Sequence, residues 1–383
     1  MLGFNPPYQL MWFLKFGLNS HGLVAMGLFD RSQRNKVDQL RSKKDIKGLV
    51  ELLGTTQGID FLETRKQAAS ALKNMKGPVV FYLIEGLHQS DINIRLGCAS
   101  LLGQIGGAEA YESLIKLLDD TDERIRATAF GALSKIHNDM IIPAILNTLP
   151  TLGMQGKGHV IKLMGLTGDP RAVEILLEML PKSTREHKKS IIRALGEIGE
   201  PKAIPALIEE LEKSDCPDLA AHALGQIGNP MAVDALINAL DDPVQHWDSF
   251  QKKVNVITAL GIIKDERALT SLISLLGDNS GGWNPASNLT DDPHDVEPLL
   301  SSFGTIAGAA AAALGKIGDK RAIEPLIQVL NSGGTDARAQ AIRALAALGD
   351  ESVLEVLTQV IKQDQDPRVR NAARSALVAL GEK

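Results

Sequence analysis

Ala194-Leu195-Gly196-Glu197-Ile198-Gly199 decides the reading of this chain, because it returns as Ala223-Leu224-Gly225-Gln226-Ile227-Gly228 and as Ala313-Leu314-Gly315-Lys316-Ile317-Gly318. The first Gly of the phrase falls at Gly103, Gly165, Gly196, Gly225, Gly261 and Gly315. Weaker copies put Lys73, Ser134, Ala346 and Val378 in the same slot. Successive copies are 29 to 32 residues apart, except for two steps of 36 and 54. Such a period marks a solenoid of short repeats, each too small to bury its own apolar face.

Each copy is predicted to fold as two helices. In Asp319 to Leu348, Asp319 supplies a cap, and Ala322, Ile323, Leu326, Ile327 and Leu330 share one helical face. Asn331-Ser332-Gly333-Gly334-Thr335-Asp336 interrupts, and Ala341, Ile342, Leu345 and Leu348 form the second stripe. Gly349 follows where a left-handed residue ends a helix. Junctions such as Gly168-Asp169-Pro170 and Gly228-Asn229-Pro230 place a terminating Gly, a capping side chain and a first-turn Pro in order. Aromatics make up 4% of the chain, too few for a core built on rings, and the many Ala residues suit close helix stacking.

These repeats resemble HEAT repeats, specifically the short HEAT-like repeats of the phycobilisome-lyase type. The Ala-Leu-Gly-x-Ile-Gly copies carry the resemblance, with Asp319-Lys320-Arg321-Ala322-Ile323-Glu324-Pro325-Leu326-Ile327 and Asp366-Pro367-Arg368-Val369-Arg370. The resemblance covers residues 45–381 and implies an all-α fold, a right-handed α-α superhelix of ten helix pairs. It implies a non-catalytic protein-binding scaffold, with a bilin lyase or lyase subunit as the alternative. Iron hydroxylases built from the same repeats place a His-Glu pair just after a recurring base. Here those positions read Leu96-Gly97, Ala127-Thr128, Lys189-Ser190 and Ala339-Gln340, so that activity is set aside. A net charge of -5 and the lack of a basic aromatic groove argue against nucleic acid and against a HEAT-like DNA glycosylase.

Outside the array, residues 8–29 are apolar but broken by Lys15, Asn19, Ser20 and His21, a poor membrane span. Residues 1–30 read as a leader or misassigned start, with Met26 the expected first residue, and residues 31–44 as a basic capping helix. The basic and apolar composition of residues 8–47 also suits a membrane surface, but a solvated cap is the reading preferred. Cys98 and Cys216 are expected to be free, buried and in a reducing compartment, and the protein cytoplasmic.

Two features are candidates for function. A base recurs eight residues before the Gly slot, at Arg65, Arg95, Arg126, Lys157, Lys188, Lys253, Arg338 and Arg370, with breaks at Pro217 and Ala307. It is expected to be an internal ladder bonding neighbouring repeats; lining a groove for an acidic partner is the other reading. The two stretched steps carry insertions at 242–250 and 278–304, both in the turn between first and second helix of successive copies. They hold two of the three Trp residues. Insertions in solenoids often mark the binding face, and exposed aromatics beside Asp and His have the composition of an interaction hot spot. His246, Trp247, Phe250, Trp283 and His294 are therefore the expected partner-binding residues, and the partner another protein. No cofactor, metal site or catalytic set is expected; Asp291 to Glu297 has the wrong spacing for a calcium loop.

Overall fold

The computed structural model describes residues 36–56, 61–106, 108–135, 140–213, 216–245, 247–280 and 304–381. The described residues are helical and turn, with no strand. The expected segment 1–30 lies outside them. Of the basic cap, residues 36–42 form a helix, α1. The chain divides into two units, 1–163 and 164–383.

In the first unit, α2 (Ile46–Leu52), α3 (Phe61–Asn74), α4 (Val79–Leu87), α5 (Ile92–Ile105), α6 (Tyr111–Lys116), α7 (Glu123–Leu133) and α8 (Ile141–Thr148) alternate as first and second helices. Helix α9 (Met154–Thr167) carries the division between units. The second unit continues with α10 (Ala172–Met179), α11 (Arg185–Ile198), α12 (Ile204–Lys213), α13 (Pro217–Ile227), α14 (Val233–Asn238) and α15 (Trp247–Ile263). It ends with α16 (Leu269–Ser274), α17 (Ile306–Ile317), α18 (Ile323–Ser332), α19 (Thr335–Leu348), α20 (Leu354–Gln363) and α21 (Pro367–Gly381). Each second helix of this unit packs against the next, in the order α11, α13, α15, α17, α19, α21, and against its own first helix.

The repeated phrase now has a physical cause. The Gly of one second helix lies on the Ala two positions before the slot in the next. A Cβ at Gly261 would sit 2.8 Å from Ala313 Cα, and one at Gly315 2.8 Å from Ala344 Cα. Gly103 meets Ala132, Gly165 meets Ala194, Gly196 meets Ala223 and Gly225 meets Ala259 in the same way. Ala-x-Gly is thus both halves of one contact, offered forwards and backwards along the stack. Leu195, Leu224, Leu260, Leu314 and Leu345, between them, are fully buried. Helix α17 takes this furthest. Ala307, Gly308, Ala309, Ala310, Ala311 and Ala313 are all buried, because α15 and α19 close on it from both sides.

Helix ends follow the predicted chemistry. Gly199, Gly228, Gly318 and Gly349 are left-handed with φ between 68° and 82°. Lys264 occupies the same place after α15 at φ 59°, a conformation in which a Cβ is strained. From α12 on, first helices of the second unit are entered through a single 3-10 turn, as at Pro201–Ala203 and Glu266–Ala268.

Many caps are Asp-x-Arg pairs. Arg124 Nη2 donates to Asp122 at 2.7 Å and Arg368 Nη2 to Asp366 at 3.0 Å. These bonds hold both carboxyls at about 2, against an ordinary 3.8. Bonds from Ser352, then Lys320, hold Asp350 there too. Because the folded pKa is depressed, the contribution is complete above the unfolded value and is lost as pH falls through the folded one. The thermal midpoint is therefore expected to hold steady down to about pH 4 and to fall between about pH 4 and pH 2. Asp122→Asn and Asp366→Asn together should flatten that fall. A double variant with the parent's full acid loss would rule out these caps as its source.

The base column is an internal ladder. Arg126 donates to the carbonyls of Asp120 and Thr121, and Arg370 to those of Asp364 and Gln365, in the turn of their own repeat. Arg95 adds an ion pair with Asp120, Lys188 one with Glu210, and Arg338 one with Asp364, all in the next repeat. These five bases tie their own turn, the following repeat, or both. Cys98 and Cys216 are buried and form no disulfide, as expected, and burial pushes the Cys98 thiol up to about 12.

Candidate partner-binding edge

In α5, α7, α11, α19 and α21 the ladder base is the fourth residue of its helix. In α15, Lys253 is the seventh. The first insertion is therefore split. Residues 241–245 are irregular, and the rest adds most of a helical turn before the usual start. Lys253 consequently lies one turn further inside its helix than the other ladder bases, 8% exposed. No carboxylate among the described residues forms an ion pair with it.

The added turn presents Trp247. Its ring stacks on Phe250, centroids 5.6 Å apart and planes 30° from parallel, a pairing that (i, i+3) spacing on a helix favours. Trp247 is half-buried and Phe250 only 4% exposed. The expectation that both rings are exposed is corrected. Phe250 is core, pointing inward from the face that Trp247 borders, and acts as the support for Trp247. The loop before them is closed by an ion pair between Lys252 and Asp242 and by Gln245 N donating to Ser249 Oγ at 2.9 Å. Asp248 is exposed next to Trp247. Burial pushes the nearby Asp218 carboxyl up, Asp248 adds to this, and backbone N–H groups and Arg193 oppose it. Asn255 Nδ2 fixes the Asp218 carbonyl at 3.0 Å.

The second insertion is tied at both described ends. Ala307 N donates to Asp278 O at 2.9 Å, and Ile306 N to Ser280 O at 3.0 Å. These backbone bonds use the turn carbonyl that a ladder base takes elsewhere, which accounts for Ala307 standing where the base is missing. Asp336 of α19 accepts from Gly304 N and Thr305 Oγ1, and Asn279 Oδ1 from Gly334 N. Since α15 packs against α17, the two interrupted turns belong to neighbouring helix pairs. His246, Trp283 and His294 lie outside the described residues. Among the described residues no group of three or more His, Cys, Asp and Glu is arranged to hold a metal, and no helix is long and apolar enough to cross a membrane.

Sequence reading missed the acids of the ladder. Asp120, Glu210 and Asp364 follow their bases by 25, 22 and 26 residues, a spacing visible once the helix pairs are aligned.

The family model of HEAT repeats matches residues 82–149, 155–219, 205–283 and 297–378. No curated protein matches the chain. Among solved structures, importin beta is similar over 88% of this chain and 54% of its own, at 13% identity and TM-score 0.53. Kap95p, whose binding acts on the switch loops of RanGDP, is similar over 87% of this chain and 50% of its own, at 13% identity and TM-score 0.55. The chain thus spans about half the length of these two, and at such identity the likeness concerns fold alone. The CpcE–CpcF phycocyanin lyase from Nostoc sp. PCC7120 gives 17% identity over 80% of this chain and 96% of its own, at TM-score 0.32, too low to bear on activity.

Proposed function

The chain belongs to the HEAT-repeat family, and we propose that it is a non-catalytic scaffold that binds another protein through the edge at the two insertions. One observation carries this reading: the repeat is broken in two neighbouring pairs, and in the first the added turn holds Trp247 half-exposed on a buried Phe250. A regular array needs neither, and a ring held in one orientation loses little entropy on binding. Kap95p, similar to this chain in fold, binds RanGDP, which supports a protein as the class of partner. A cytoplasmic setting and the exclusion of nucleic acid belong to the same proposal, and the phycobilisome-lyase type stays the alternative. Among the described residues no arrangement of side chains favours it over the scaffold.

Large aromatics at an interface centre cost about 2 kcal/mol or more on truncation. Trp247→Ala is expected to weaken capture of a protein partner about thirtyfold, with helicity and melting close to the parent because the ring is half-exposed. The measurement is quantitative affinity capture followed by titration of the purified partner. Undiminished affinity in Trp247→Ala would refute this edge.

A further inference from the structure

Two and three helix pairs beyond Trp247, a cleft of about 470 Å³ opens between α18 and α20. That volume suits a small ligand or a few side chains of a peptide. Its floor is aliphatic: Ile327, Val356 and Val360 are half-buried, and Leu330 is buried. Its rim is made of carboxamides, Asn331, Gln359, Gln363 and Gln365, all exposed.

In a chain with 23% charged residues, only Arg338 and Asp364 of this lining are ionised, and they are already bonded to each other. Arg338 Nε donates to Asp364 Oδ2 at 2.8 Å and Nη2 to Oδ1 at 3.1 Å, while Nη1 donates to Gly333 O at 2.9 Å. Asp364 Oδ1 also accepts from Asp366 N at 2.8 Å. A carboxylate ligand would have to displace Asp364 from Arg338, and an ammonium would have to displace Arg338 from Asp364. Neither exchange is favourable in a half-buried pair with bidentate geometry.

A carboxamide carries one acceptor oxygen and a donor NH₂, the complement of a peptide group. Gln359 Nε2 donates to Gln363 Oε1 at 3.2 Å, which leaves the oxygen of the first and the NH₂ of the second to face a ligand. We propose that this cleft docks an uncharged, extended stretch of polypeptide, which lays one apolar side chain on Ile327, Val356 and Val360 and hydrogen-bonds its backbone to the rim carboxamides. The charge balance of the lining sets the occupant, and the cleft stands independently of the insertion edge.

The test uses the full chain with labelled Ile and Val methyls, titrated with the capped tripeptide acetyl-alanyl-leucyl-alanyl-amide. Saturable shifts are expected at Ile327, Val356 and Val360, with a Kd of about 1 mM. The matching glutamyl and lysyl peptides should bind at least about tenfold more weakly. Val356→Glu should abolish the shifts, with helicity checked by circular dichroism. Should that variant lose helicity, Gln359→Ala with Gln363→Ala replaces it and should weaken the leucyl peptide severalfold. Methyls that do not move, charged peptides that bind as well, or shifts that persist in the folded variants would each overturn the proposal.

Discussion

Gly261→Leu is expected to destabilise the second unit by about 3 kcal/mol, the upper range for inserting methylenes into a filled core. For a unit of this size that lowers its melting midpoint by roughly 6–12 °C. Even a Cβ there would stand 2.8 Å from Ala313 Cα and 2.9 Å from Ala313 Cβ. The obstacle is backbone, so no rotamer change relieves it. The helices must part, and α15 and α17 are packed along much of their length. Gly131→Ala is the matched control. Gly131 also sits on a second helix, but its Cβ would meet nothing within 4 Å. There Ala should be neutral or stabilising by up to about 1 kcal/mol through helix propensity. Equal melting of Gly261→Leu and the parent would mean that the second helices do not meet at the Gly slot.

The recurrence of Ala-Leu-Gly made the helix pairs and their order legible, because Gly261 and Ala313 record one contact twice, once in each repeat. Terminating glycines were legible for the same reason, Gly199 and Gly318 being needed at positive φ. Lys264 shows the limit. A lysine can hold that conformation, so its place had to be inferred from its neighbours. The candidate edge was legible only as an interruption. Counting residues finds an excess of five before α15 but does not say how many extend the helix. The answer depends on whether Phe250 finds a core site, which it does. That choice is tertiary, and with it goes the division of labour between Trp247 and Phe250. The cleft between α18 and α20 left no trace in the period, because Ile327, Val356 and Val360 occupy ordinary apolar positions of their helices. What makes them a floor is the space left between two first helices.

The ladder leads to the other large effect. Asp364→Ala is expected to cost about 2–3 kcal/mol, since it leaves a half-buried guanidinium without its carboxylate and the N–H of Asp366 without its acceptor. Burial, the largest single influence, pushes the Asp364 carboxyl up, but the bond and charge of Arg338 and the bond from Asp366 N together outweigh it, and its pKa is lowered. The ion pair is therefore intact at neutral pH, and its contribution disappears only as pH falls through the depressed folded value. Because repeat stability is a sum of local and nearest-neighbour terms, the damage should stay near α19, α20 and α21. Hydrogen exchange should show lost protection there and parent-like protection in α11 to α15. Arg338→Met in the Asp364→Ala background should recover part of the loss by removing the stranded charge. Retained protection in α20 and α21 of the single variant would mean that the ladder only decorates the stack, and that helix contacts such as that of Gly315 on Ala344 suffice to hold the repeats together.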